Sequence, residues 1–110
     1  MSKYNNQKVQ IDMVVLDSKL EAERYKELKL LERAKVIKNL KLQVPFLLQE
    51  SFRKNGKTYR KIEYIADFVY EENGKTIVED TKGMKTDVFK IKQKLFEYKY
   101  PDLEIKIIEK

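Results

Sequence analysis

Asp67, Asp80 and Lys82 flank an Asn-Gly pair at positions 73 and 74. Asn-Gly between alternating apolar runs is the strongest short-range hairpin signal. Centring the turn there sets Glu72 against Lys75, and the same register then sets Asp67 against Asp80. Residues directly opposed on one face have Cβ atoms only about 4.5–5.5 Å apart, where two carboxylates repel unless a cation lies between them. Strand alternation adds Val78 and Lys82 to that face and turns Glu79 the other way, opposite Phe68. Lys82 falls opposite Ile65 and diagonal to Asp67, so its ammonium can reach the same place. The flanking IEYIADFV and KTIVED are strongly apolar or β-branched, as in a central strand covered on both faces, where unpaired carboxylates are costly.

The chain has no cysteine and no histidine, so thiolate and imidazole chemistry are excluded and carboxylates and lysines must serve. Two close carboxylates suit a hard divalent cation, Mg²⁺ with Mn²⁺ as substitute, rather than zinc. Such an ion with an adjacent lysine is the chemistry of phosphodiester hydrolysis.

The elements that position these groups can be read along the 110 residues, which have room for one domain. Residues 1–7 read as a flexible N-terminus, and 8–16 as a short strand or hairpin around Asp12 and Met13. Ser18-Lys19-Leu20-Glu21 has the form of a capping box, and Leu20, Leu28, Leu31 and Ala34 follow at helical spacing, predicting a helix over 18–34. Strands near 41–52, 58–71 and 75–82, divided by Asn55-Gly56 and Asn73-Gly74, form an antiparallel meander. Gly83 ends it, and Thr86 caps a helix over 87–99, along which Val88, Ile91, Leu95 and Tyr98 make one apolar stripe before Pro101. Alternation of Leu103, Ile105 and Ile107 with polar neighbours gives a last strand. The expected fold class is α+β, in the order αβββαβ behind a small β element.

A net charge of +6 suits a polyanionic partner. Arg53, Lys54, Lys57, Arg60 and Lys61 bracket the first Asn-Gly turn, with Tyr59 among them. Lys85, Lys90, Lys92, Lys94 and Lys99 line the second helix, and both groups could hold a phosphate backbone. Gln43 and Tyr64 could lie near the aspartates, though packing alone would explain Tyr64. No apolar run approaches the roughly 18 residues that cross a bilayer, and the N-terminus lacks a secretion signal, so the expectation is a soluble cytoplasmic protein with no membrane partner.

With these residues in view, the pattern resembles the PD-(D/E)xK nuclease superfamily. An acidic residue on the second core strand, Asp67, is followed on the third by D-x-K, here Asp80-Thr81-Lys82. The stretches DSKLEAERYKELKLLERA, YIADFVYEENGKTIVEDTKG and VFKIKQKLFEYKYPDLEI resemble a small phage-encoded nuclease-like family of that superfamily. Ala66 stands where the superfamily has proline, which removes a backbone constraint and keeps the ligand. The resemblance implies a restriction-endonuclease-like core, a mixed sheet flanked by two helices. It implies Asp67, Asp80 and the Thr81 backbone carbonyl as metal ligands, Lys82 at the water or scissile phosphate, and Glu21 as a further acidic residue from the first helix. A capping-box glutamate reaching back to Ser18 would equally explain Glu21.

The resulting expectation is a phage Mg²⁺-dependent DNA endonuclease in the host cytoplasm, with branched DNA such as four-way junctions among its substrates. Two symmetric cuts would need a homodimer. A non-catalytic nucleic-acid- or partner-binding module on the same fold is the alternative, and nothing in the chain distinguishes DNA from RNA.

Overall fold

The computed structural model describes residues 9–11, 14–16, 18–82 and 84–109. The expectations for residues 1–7, for the Asp12-Met13 turn and for Gly83 fall outside them. The elements are β1 (Val9–Ile11), β2 (Val14–Leu16), α1 (Lys19–Arg33), β3 (Lys38–Gln49), β4 (Phe52–Lys54), β5 (Lys57–Tyr59), β6 (Ile62–Glu72), β7 (Lys75–Lys82), α2 (Asp87–Lys99) and β8 (Ile105–Glu109). Each helix begins where its cap requires. Ser18 Oγ accepts the Glu21 N–H at 3.1 Å, and Thr86 Oγ1 accepts the Phe89 N–H at 3.1 Å, satisfying donors that the first turn leaves open.

The main sheet runs β3-β6-β7-β8. Its first three strands are antiparallel, and β8 pairs parallel to β7 after a crossover through α2. Helix α1 covers one face through Ala22, Tyr25 and Leu28, which pack with Phe68 and Tyr70. Helix α2 covers the other through Phe89 and Phe96, which pack with Tyr64, Ala66, Val78 and Ile105. Full burial of side chains such as Phe68 and Phe96 stabilises the fold by about 2–3 kcal/mol each. The α+β class and the mixed sheet between two helices follow the sequence expectation.

Two expectations are corrected. The Asn55-Gly56 turn does not close the β3–β6 pair itself. A register shift between Leu47 and Gln49 ends that ladder, and the turn closes a separate hairpin, β4–β5, in which Phe52 pairs with Tyr59 and every side chain is exposed. The turn chemistry is as expected, with Asn55 and Gly56 at φ 52° and 75°, the left-handed pair that a two-residue hairpin loop needs. The apolar stripe of α2 does not pack on the sheet. Val88, Ile91, Leu95 and Tyr98 face outward, because Phe89 and Phe96 already fill the space over β6 and β7.

A third feature has no counterpart in the sequence reading. On β6, Tyr64 and Ala66 pack on the α2 side, but Phe68 and Tyr70 pack on the α1 side. On β3, Leu40 and Leu42 go with α1, but Phe46 and Leu48 go with α2. Both strands therefore switch faces at one level, between Leu42 and Val44 and between Ala66 and Phe68, with no change of register. At that level Gln43 has φ 52°, a left-handed conformation costing a non-glycine residue about 1–2 kcal/mol.

Candidate active site

The predicted register holds from Glu72↔Lys75 through Phe68↔Glu79 and then stops, one pair short of Asp67 and Asp80. Strand β6 leaves β7 at its face switch, and the two aspartates occupy the fork. Asp67 bridges the gap by its side chain, its Oδ2 accepting the Thr81 N–H and the Thr81 hydroxyl, each at 2.8 Å. Asp80 is 2% exposed, and its Oδ2 accepts the Tyr64 hydroxyl at 2.9 Å and lies 3.2 Å from Lys82 Nζ. The Lys82 ammonium also sits 4.4 Å from the centre of the Phe89 ring, so α2 helps fix it.

Burial, and then the hydrogen bond and charge of Asp67, push the Asp80 carboxyl up to about 7, against Lys82 and the Tyr64 hydroxyl, which pull it down. Tyr64 is pushed far above the usual phenol range by burial and then by Asp80, which keeps it a donor. Two carboxylates thus share a site that retains a proton near neutrality, and a cation would relieve the same repulsion. The donor set fits a hard divalent ion. Among the described residues no three acidic side chains converge into a ready cage. Asp67 and Asp80 with a main-chain carbonyl would be the protein's share, and water would complete the shell, the arrangement Mg²⁺ prefers.

Glu21 is buried in the first turn of α1, and its Oε1 accepts Gln43 Nε2 at 2.8 Å. Gln43 lies between Leu42 and Val44, whose β6 partners are Phe68 and Ala66, so it stands at the level of Asp67. Gln43 thus ties Glu21 of α1 to β3 at the level of Asp67. A glutamate serving only as a cap has no need of this bond or of this burial.

Glu79 takes no part, as strand parity requires. It is fully buried on the α1 face, where its carboxylate accepts Arg24 Nε at 2.8 Å, Arg24 Nη2 at 2.7 Å and the Tyr70 hydroxyl. Sequence reasoning turned Glu79 away from Asp80, opposite Phe68, and did not pair it with Arg24 of α1. Opposite charges on facing elements were the available signal. The Tyr64 hydroxyl was undervalued because regular alternation puts position 64 on the face away from Asp67, and only the face switch brings it to Asp80.

The basic candidates are mostly exposed on the β4–β5 hairpin and on α2. Lys54, Lys57 and Arg60 are exposed on or beside the β4–β5 hairpin. Arg53 braces the turn, donating to Thr58 Oγ1 at 2.6 Å and to the Gly56 carbonyl at 3.2 Å. Lys85 pairs with Glu109 at 3.3 Å, while Lys90 and Lys94 are exposed on α2. Among the described residues no helix is long and apolar enough to cross a membrane.

No curated protein and no solved structure gives a significant match. One family does, over residues 1–110: the chain belongs to DUF1064, described as a protein of unknown function.

Proposed function

We propose that the protein is a Mg²⁺-dependent endonuclease that hydrolyses DNA phosphodiesters, with branched DNA among its substrates. The observation that carries this reading is the fork itself, where a half-buried Asp67 meets a buried Asp80 with Lys82 3.2 Å from Asp80. The one lysine there balances the pair only while a proton is shared between them, and a divalent cation would take that proton's place. Resemblance to the PD-(D/E)xK pattern and the acid-free basic stretch from Arg53 to Lys61 support the same reading.

Mg²⁺, when bound, would polarise a phosphoryl oxygen and acidify a coordinated water. The chain's own residues set the stage. Thr81 orients Asp67 through two hydrogen bonds, and Tyr64 orients Asp80. Lys82 places a fixed positive charge where the scissile phosphate gains negative charge. Glu21, held by Gln43, would contribute its carboxylate from the first helix, directly or through water. Lys54, Lys57, Lys90 and Lys94 would hold flanking phosphates, giving a steep salt dependence of binding.

The test is incubation with linear, nicked, single-stranded and four-way-junction DNA, and with single-stranded RNA, in Mg²⁺, Mn²⁺ or EDTA. Cleavage by the wild type should require the metal, and Asp80→Ala and Lys82→Ala should each lower it at least ~100-fold. Equal activity in the wild type and both variants, or binding without cleavage on every substrate, defeats the proposal, and the second result points to a binding module.

A further inference from the structure

Every residue from Gln49 to Lys61 is exposed, although part of this stretch forms the ordered hairpin β4–β5. The arm covers no core, and its shape is held from within. Asn55-Gly56 closes it, Arg53 braces the turn, and the rings of Phe52 and Tyr59 stack across the two strands with centres 4.7 Å apart and planes 7° from parallel. Both rings stay open to solvent, Phe52 at 43% and Tyr59 at 40%. Strand alternation puts Lys54 and Lys57 on the face that carries the rings, nearer the turn, and Lys57 Nζ lies 4.9 Å from the centre of the Tyr59 ring.

The same arm is strongly one-signed. Arg53, Lys54, Lys57, Arg60 and Lys61 fall in residues 51–62, which contain no acid. Among the described residues Lys61 alone of these has a carboxylate partner, Glu63 at 3.4 Å. Lys54 stands directly opposite Lys57, an arrangement that costs a free hairpin stability and that a polyanion relieves.

We propose that this face binds single-stranded nucleic acid, with bases stacking on the Phe52–Tyr59 pair and phosphates passing Lys54 and Lys57. The inference rests on the nucleic-acid part of the reading above and adds which strand is recognised, one whose bases are unpaired, as beside a branch. A parallel pair of open rings is a stack that any base can extend, and cations beside it match the backbone that carries the bases. A closed duplex hides its base faces and would engage the cations alone. An anionic membrane fits the arm less well, because the tip that would enter first is Asn-Gly between two lysines, with the rings set back behind it.

Fluorescence anisotropy in EDTA, where metal-dependent cleavage does not intervene, tests the proposal with labelled oligothymidine of about 12 nucleotides and an abasic strand of the same length. The wild type should bind oligothymidine at least ~10-fold more tightly than the abasic strand. Phe52→Leu and Tyr59→Leu should each remove most of that preference with unchanged circular dichroism, and Tyr59→Phe should keep it. Lys54→Ala and Lys57→Ala should weaken both strands alike, each lowering the salt slope by about 0.7, and they keep the test valid should a ring variant disorder the hairpin. A forked duplex should outcompete a blunt duplex of equal charge, and the ring variants should erase the difference. Equal affinity for strands with and without bases overturns the proposal, as does a base preference that survives both ring variants. Binding to phosphatidylserine vesicles but to neither strand overturns it in favour of a membrane surface. Cleavage separates the two readings. Metal-dependent cutting without any base preference overturns this inference and leaves the nuclease, whereas a base preference lost in the ring variants, with no substrate cut, upholds it and overturns the nuclease.

Discussion

Strand β7 carries two neighbouring carboxylates, Glu79 and Asp80, that are equally buried and differ in almost everything else. Glu79 meets a guanidinium in two parallel bonds and a phenol besides, and the pair drives Arg24 still further above its usual range. Its charge is matched, and it fastens α1 to the sheet. Asp80 meets one ammonium, one phenol and a second carboxylate. Its charge is not matched. One strand thus presents a settled ion pair on one face and an unsettled one on the other, separated by a single peptide. Burial alone does not mark a functional acid, whereas burial combined with an uncompensated like charge does.

Removing the matched partner should give the largest effect on folding. Arg24→Ala leaves Glu79 buried and uncompensated and should cost about 3–5 kcal/mol in urea unfolding. If it costs under ~1 kcal/mol, the contrast between the two faces is wrong. Asp80→Asn should act in the opposite direction, raising the stability of metal-free protein at pH 8 by about 2–4 kcal/mol while abolishing cleavage. A loss of stability there would mean that Asp80, too, is a structural charge.

The same comparison can be read from pH. Asp80 holds its proton up to about 7 in the folded chain but releases it near 3.8 when unfolded. Between those values the folded state binds more protons, so this residue's contribution to stability falls as pH rises from about 4 to about 7 and is level above. Comparing wild type with Asp80→Asn across that window isolates the slope, which the variant should lack. Tyr64→Phe should give the smallest change, about 1 kcal/mol or less, with the Asp80 titration moving slightly upward as it loses a donor.

Much of this was legible because local chemistry fixed it. Asn73-Gly74 determines the turn, the turn determines the register, and the register separates Glu79 from Asp80. Ser18 and Thr86 likewise mark their helices to the residue. The switch of faces was hidden for a definite reason. Tyr64, Ala66, Phe68 and Tyr70 are all buried, an unbroken period of two, so the pattern reads as one inward face although it serves two helices in turn. Gln43 gives no warning either, since glutamine has no particular preference for a left-handed backbone. On α2, counting apolar positions favoured the four-residue stripe, but two phenylalanines seven residues apart fill the inner space, and side-chain volume outweighed number.

The shared kink of β3 and β6 also divides the molecule in time. Because each helix packs against its own half of those two strands, the α1 half and the α2 half should open as separate cooperative units joined at the level of Gln43 and Asp67. Native-state hydrogen exchange should therefore resolve two opening free energies, with amides near Tyr25 and Tyr70 exchanging together and those near Phe96 and Ile105 exchanging as another group. The fork lies on that seam, so its two aspartates sit where the two units meet.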